Sequence, residues 1–241
     1  MDSMDGEPPP ILDDRIFPYT DLPMLENGEF SDVMVKCDNR SWDLHKIILC
    51  TRSQWFRKAF SGRFHEAETS KVEITDFEPE QVERLLYYLY VGSIKRPAAP
   101  LNRFLSYVND FIMGDYFVIP KLCKAAVGKI NRELDVATVI LQWAMTEPTG
   151  GEGEEKQFDC VPSLLETIAT ALSKAYTCGS MASGDSIRKC FVYFFTRTSL
   201  YHLNRGNQSP IMDAFKSLPE FARDCLVAYE PLGVDLLNVY S

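Results

Sequence analysis

The chain has 241 residues, 46% of them hydrophobic and 24% charged, with a net charge of −9. That is enough to fill one large or two modest domains, since a ~150-residue domain already buries roughly 70% of its unfolded surface. A pI near 4.9 without a basic stripe excludes the electrostatic footprint of nucleic-acid binding, and apolar runs such as 139–145 and 191–195 fall short of the ~20 residues a membrane helix needs. The first 30 residues hold eight acids against Arg15 alone. With Pro8, Pro9, Pro10, Pro18 and Pro23, residues 1–24 read as an acidic, disordered tail. Nothing in it has the basic and then apolar order of a secretory leader, so an intracellular protein, cytoplasmic or nuclear, is expected.

Val33, Val35 and Cys37 alternate with longer or more polar side chains, the period-two pattern of a strand with one buried face. Asp38 and Asn39 supply turn chemistry, and residues 40–44 return as a second strand. Periodicity then changes to three and four, with Ile47, Ile48, Trp55, Phe56, Ala59 and Phe60 marking two short helices. Val72 and Ile74 form a brief third strand. Pro79 suits the first turn of a helix, Val82, Leu85, Leu86 and Leu89 give it a core-facing stripe, and Gly92 ends it. After Pro120, the residues Ile119, Leu122, Cys123, Ala126, Val127 and Ile130 line a helical face, and residues 136–145 give another short amphipathic helix.

A Gly- and Glu-rich linker occupies 147–157. Beyond it Val161, Leu165, Ile168, Leu172 and Tyr176 repeat at helical spacing, a second flexible break covers 178–185, and Ile187, Phe191, Phe194 and Phe195 mark an aromatic core helix. A last helix starts with Ser217 as N-cap and buries Phe221, Cys225 and Leu226.

Chemistry-bearing motifs are sparse. Seven cysteines, without a C-x-x-C pair, argue against a disulfide framework or a zinc module. His45 lies between Leu44 and Ile47 with no second ligand at useful spacing, which favours a buried structural histidine. No phosphate loop, dinucleotide fingerprint, nucleophile elbow or H-E-x-x-H occurs. An enzyme is therefore not expected, nor a metal or cofactor.

Phe30 to Val33, His45 and Lys46 with Leu49 and Cys50, Ser53 with Phe56, Phe60 with Gly62, Phe64 with Glu66, and Leu89 to Gly92 together resemble the BTB/POZ signature. The block DYFVIPKLCKAA from Asp115 is similar to that domain's closing helix, with Tyr116 in the place of a family tyrosine. The resemblance implies an α+β BTB/POZ fold over residues 25–132, a small mixed sheet flanked by a helical cluster, followed by an all-α extension over 133–241. SLPEFARDCL at 217–226 resembles the last helix of short fungal BTB proteins. There is no repeat of 20 to 50 residues.

What the family likeness implies about function is protein–protein interaction. One reading is an adaptor for a cullin-3-type ubiquitin ligase, docking through Ser93, Ile94, Lys95 and Arg96 and through Asp115 and Tyr116. Several cullin-binding members follow an apolar residue two positions later with glutamate, whereas this chain has Ile94 and then Arg96. The other reading is a scaffold that pairs with itself or with another BTB protein. Asp32 and Lys46 match a charged pocket near the family's dimer seam, although Pro18 and Pro23 interrupt the place of the usual dimer helix.

Overall fold

The computed structural model describes residues 21–97, 103–146, 160–178, 184–198 and 210–229. Its first element, α1 (Asp21–Asn27), begins inside the segment expected to be disordered. Pro23 does not interrupt it, because amides of a helix's first turn have no intrahelical acceptor and a proline there loses nothing. Leu22, Met24 and Leu25 pack against the N-terminal core, and Asp21 is ion-paired to Arg52 at 2.7 Å.

Strand β1 (Val33–Cys37) pairs antiparallel with β2 (Arg40–Leu44), in a register that sets Val33 opposite Leu44 and Cys37 opposite Arg40. Only two residues remain for the turn, and Asp38 takes the left-handed conformation it requires. On the other side β3 (Lys71–Glu73) runs parallel to β1, with Val35 level with Val72. The sheet is thus mixed, in the order β2-β1-β3. Its buried face carries Val33, Val35, Cys37, Leu44 and Val72.

Three short helices link β2 to β3: α2 (Lys46–Arg52), α3 (Gln54–Ser61) and α4 (His65–Thr69). Ile48 and Leu49 are buried, but Ile47, expected on the core face, is 73% exposed. At 3.6 residues per turn, three successive side chains spread over more than half of the helix circumference, and Ile47 falls on the open side. Helix α5 (Pro79–Val91) opens with a capping box in which the Gln81 side-chain oxygen accepts the Glu78 amide at 3.0 Å, and ends at Gly92 with φ 77°.

Helices α6 (Arg103–Tyr116) and α7 (Pro120–Thr146) join the two halves. The expected pair of helices at 119–130 and 136–145 is one helix of 27 residues, about 40 Å long at 1.5 Å per residue. Ile130, Leu134, Ala137 and Leu141 keep one buried stripe through the polar stretch at 131–133, which faces outward. Residues 132 and 133, where the family likeness divides the chain, lie inside this helix. Helices α8 (Cys160–Thr177), α9 (Gly184–Arg197), α10 (Pro210–Ser217) and α11 (Pro219–Tyr229) complete a second hydrophobic cluster with α6 and α7. Ser217 ends α10, and its hydroxyl donates to the Ala214 carbonyl, so it is not the cap of the last helix. Leu226 is exposed, one step off the face that buries Phe221 and Cys225. The linker at 147–157 and most of the break at 178–185 lie outside the described residues.

Candidate functional site

His45 is buried and bonded on both ring nitrogens, Nδ1 to the Tyr90 hydroxyl at 2.8 Å and Nε2 to the Glu29 carbonyl at 2.7 Å. A carbonyl only accepts, so Nε2 carries the proton and Nδ1 accepts from Tyr90. The Tyr90 hydroxyl also accepts the His45 amide at 3.0 Å, and burial pushes its own pKa up to about 12. These bonds tie the chain before β1 to α5, a structural duty. With the His45 ring so engaged, the start of α2 is capped from elsewhere: the Asp32 carboxylate accepts the Lys46 amide at 2.6 Å. Asp32 and Lys46 therefore do meet, but through the backbone of Lys46. Beside them Phe30, 82% exposed, and Ile47 leave apolar surface open.

Ser93, Ile94, Lys95 and Arg96 follow Gly92 without forming a strand. Ile94 packs, partly buried, against both hydrophobic clusters. The Lys95 ammonium donates to Glu83 at 3.1 Å and lies over the Tyr87 ring, at the rim of a cleft of about 330 Å³ that Leu22, Leu25 and Trp42 also line. Its carbonyl accepts from Arg84. Arg96 is exposed.

Asp115 and Tyr116 close α6 and stand at a different place, against the turn before α5. The Tyr116 ring is 41% exposed, yet Phe77, Trp55 and Phe117 surround its inner edge at centroid distances of 5.0, 6.1 and 4.9 Å. Its hydroxyl donates to the Asp76 carboxylate at 2.9 Å, and burial followed by that carboxylate raises its pKa. The fully buried aromatic of this turn is Phe117, which stacks on Phe56 and whose carbonyl accepts the Ser53 hydroxyl at 2.7 Å. Phe117 thus fills the core of this turn, and Tyr116, one residue earlier, faces outward. Asp115 lines an apolar cleft of about 430 Å³ with Val118, Ile119, Pro120 and, from the start of α9, Ser186. Val118 holds φ 53°, a left-handed conformation that a β-branched residue adopts only under strain.

The expected site residues therefore fall into three groups: Asp32 with Lys46, the segment 93–96, and Asp115 with Tyr116. Helix α5 and the turn leading into it touch the last two. Sequence reasoning missed Arg84, Glu83, Asp76 and Phe77, whose roles depend on contacts between distant positions. Reactive thiols are not favoured by the surroundings: burial raises the pKa of Cys37 and Cys50, and pushes Cys190 up to about 11 and Cys225 to about 12. Among the described residues no group of three or more His, Cys, Asp or Glu side chains is placed to hold a metal, and no helix is long and apolar enough to cross a membrane.

Residues 22–125 match the BTB/POZ domain family. The chain contains a BTB/POZ domain. This is a protein-interaction fold, and the mixed sheet with its helical cluster is the expected one. Similar proteins include kelch-like protein 40 of Xenopus laevis, 23% identical over 96 residues that make up 40% of this chain and 16% of that protein. Kelch repeat protein M-T9 of Myxoma virus is 28% identical over 126 residues, 52% of this chain and 24% of the relative. Kelch-like protein 8 of Mus musculus is 35% identical over 69 residues, 29% and 11% of the two chains. This chain spans less than a quarter of the length of these relatives. They are vertebrate and viral proteins, and the likeness to short fungal BTB proteins rests on residues 217–226 alone. Among solved structures, the BTB domain of zebrafish PATZ1 covers 44% of this chain and 81% of its own, at 16% identity and a TM-score of 0.37.

Proposed function

We propose that this BTB protein is an adaptor that docks on a cullin-3-type ubiquitin-ligase scaffold through residues 93–96 and through Asp115 and Tyr116. On this reading the helical half holds the protein to be modified. The observation that carries it is the half-exposed Tyr116 ring, backed by Phe77, Trp55 and Phe117, because rigid aromatic anchors with an open edge dominate interface energetics. Ile94 adds an apolar contact on a segment already pinned to α5. Arg96 stands where several cullin-binding members carry glutamate, and that reversal of charge weakens the rim more than the anchor.

Calorimetric titration of the purified chain with the cullin-3 N-terminal domain tests this. Binding at about 1 μM or tighter, about 8 kcal/mol, is expected, weakened at least tenfold by Tyr116→Ala. No heat and no complex at high concentration would retire the adaptor. A scaffold that homo- or hetero-oligomerises is the second reading, favoured by the open apolar surface of Phe30 and Ile47 beside Asp32 and Lys46. Sedimentation equilibrium decides it: a dimer that Ile47→Asp returns to monomer supports self-association, and a monomer at all concentrations rules out the homo-oligomer.

A further inference from the structure

We infer that Arg84, anchored by Asp110, is a positioning residue that sets the backbone of the segment 93–96. Arg84 lies midway along α5 and Asp110 on α6, with side chains only 16% and 7% exposed. Nε donates to one carboxylate oxygen of Asp110 at 2.9 Å and Nη2 to the other. The remaining branch, Nη1, donates to the Lys95 carbonyl at 2.9 Å. A guanidinium has donors for this geometry on two of its edges, one for a carboxylate fork and one for a third acceptor, and an ammonium does not.

Burial drives the arrangement. Desolvation raises the Asp110 pKa while the Arg84 guanidinium opposes it, so either group alone would be a costly buried charge. Each therefore holds the other, and Arg84 is oriented before anything binds. Two further restraints act on the same short segment. The Lys95 side chain is tied to Glu83, and Ile94 is wedged between the two hydrophobic clusters. Residues 93–96 lack secondary structure, yet carbonyl, side chain and apolar neighbour are all fixed. A partner that reads this segment meets it already ordered, which removes the entropy loss that a free loop would incur on binding. The clamp stands on its contacts, and its consequence for docking rests on the adaptor reading.

The test uses the full chain in three forms: wild type, Arg84→Lys, and the double variant Arg84→Met with Asp110→Leu, which leaves no charge buried alone. Limited trypsin digestion reports the segment directly, because Lys95 offers a cleavable bond, whereas the bond after Arg96 precedes Pro97 and resists trypsin. In the double variant, cleavage after Lys95 should rise at least tenfold, while amide exchange in α5 and α6 stays protected. Arg84→Lys keeps the charge but loses the three-way fork and should fall between. Cleavage after Lys95 that matches wild type in folded Arg84→Lys and folded double variant would overturn the clamp. If the double variant does not fold, Arg84→Lys decides alone. Where wild type binds the cullin-3 N-terminal domain, the double variant should bind about tenfold more weakly, with Tyr116 still buried by the partner. Where it does not bind, the adaptor reading fails and the digestion still decides the clamp.

Discussion

The two hydrophobic clusters of this chain are built differently, one around a sheet and a group of aromatic rings, the other from helices alone. In the N-terminal cluster, strand residues such as Val35, Leu44 and Val72 meet a group of rings, Phe56, Phe60 and Phe117, that continues to the surface as Trp55, Phe77 and Tyr116. The C-terminal cluster is a helix-on-helix core of alanines and phenylalanines in which Phe195, Phe215 and Phe221 pack on one another. Its outward tyrosine, Tyr193, carries Arg197 over its ring. The first cluster thus extends its aromatic core into an exposed edge, and in the second the exposed Tyr193 ring is covered by a cation. Deep substitutions in the two should cost alike, while only those in the first should reach the proposed docking edge at Tyr116.

The largest expected effect comes from Phe117→Ala. Removing a fully buried ring that contacts Trp55, Phe56, Phe77 and Tyr116 should cost about 3–5 kcal/mol, lowering Tm by roughly 10 °C or more. Phe195→Ala should cost a similar amount in thermal melts. The comparison is sharpened by binding measured well below both transitions: Phe117→Ala should lose partner affinity by displacing Tyr116, and Phe195→Ala should keep it. Equal losses in both would show that the clusters are not functionally separate.

Next in size is Tyr116→Ala. The exposed part of the ring does little for the core, so stability should fall by about 1 kcal/mol or less, whereas a central aromatic anchor is worth about 2 kcal/mol or more of binding. Equilibrium denaturation beside calorimetry separates the two numbers. Gly114→Ala then probes the junction between the clusters. A Cβ at Gly114 would stand 2.8 Å from Cys123 Sγ and 3.0 Å from the Cys123 amide, so α6 and α7 would have to part. Overpacking of this kind costs about 1–3 kcal/mol in a denaturant titration.

How much of this was legible beforehand follows the range of each interaction. The hairpin at Asp38 and Asn39, the stripe of α5 and its stop at Gly92 are local patterns, and the structure repeats them. Helix α6 was missed although Phe104, Tyr107, Val108 and Phe111 recur at three and four and Asn102, a residue type suited to an N-cap, stands just before its start. Helices α1 and α4 have seven and five residues, too few for a period to stand out. The continuity of α7 was hidden by a polar run that only marks its solvent side. At the candidate site, the named segments could be found by family likeness, but not which aromatic was buried: Tyr116 and Phe117 are adjacent, and a single-residue choice between them turns on Phe56 and Ser53, more than sixty positions away. The Arg84 and Asp110 pair is likewise a contact across 26 positions, without a local signal.

The smallest expected effect concerns the turn between α6 and α7. Val118 is held at φ 53° with its side chain 41% exposed, so it gains little from burial and bears the strain of a left-handed β-branched residue, about 1–2 kcal/mol. Glycine accepts that conformation freely but loses more freedom on folding, about 0.5–1 kcal/mol. Val118→Gly should therefore stabilise the chain slightly, by up to about 1 kcal/mol, read as a rise of a few degrees in Tm. Val118 also lines the apolar cleft beside Asp115. If a partner uses that cleft, the same substitution should weaken binding while raising stability, the opposite signs that mark strain retained at a working surface. A variant that gains stability and binds unchanged would leave the cleft out of the interface and confine docking to Tyr116 and the segment 93–96.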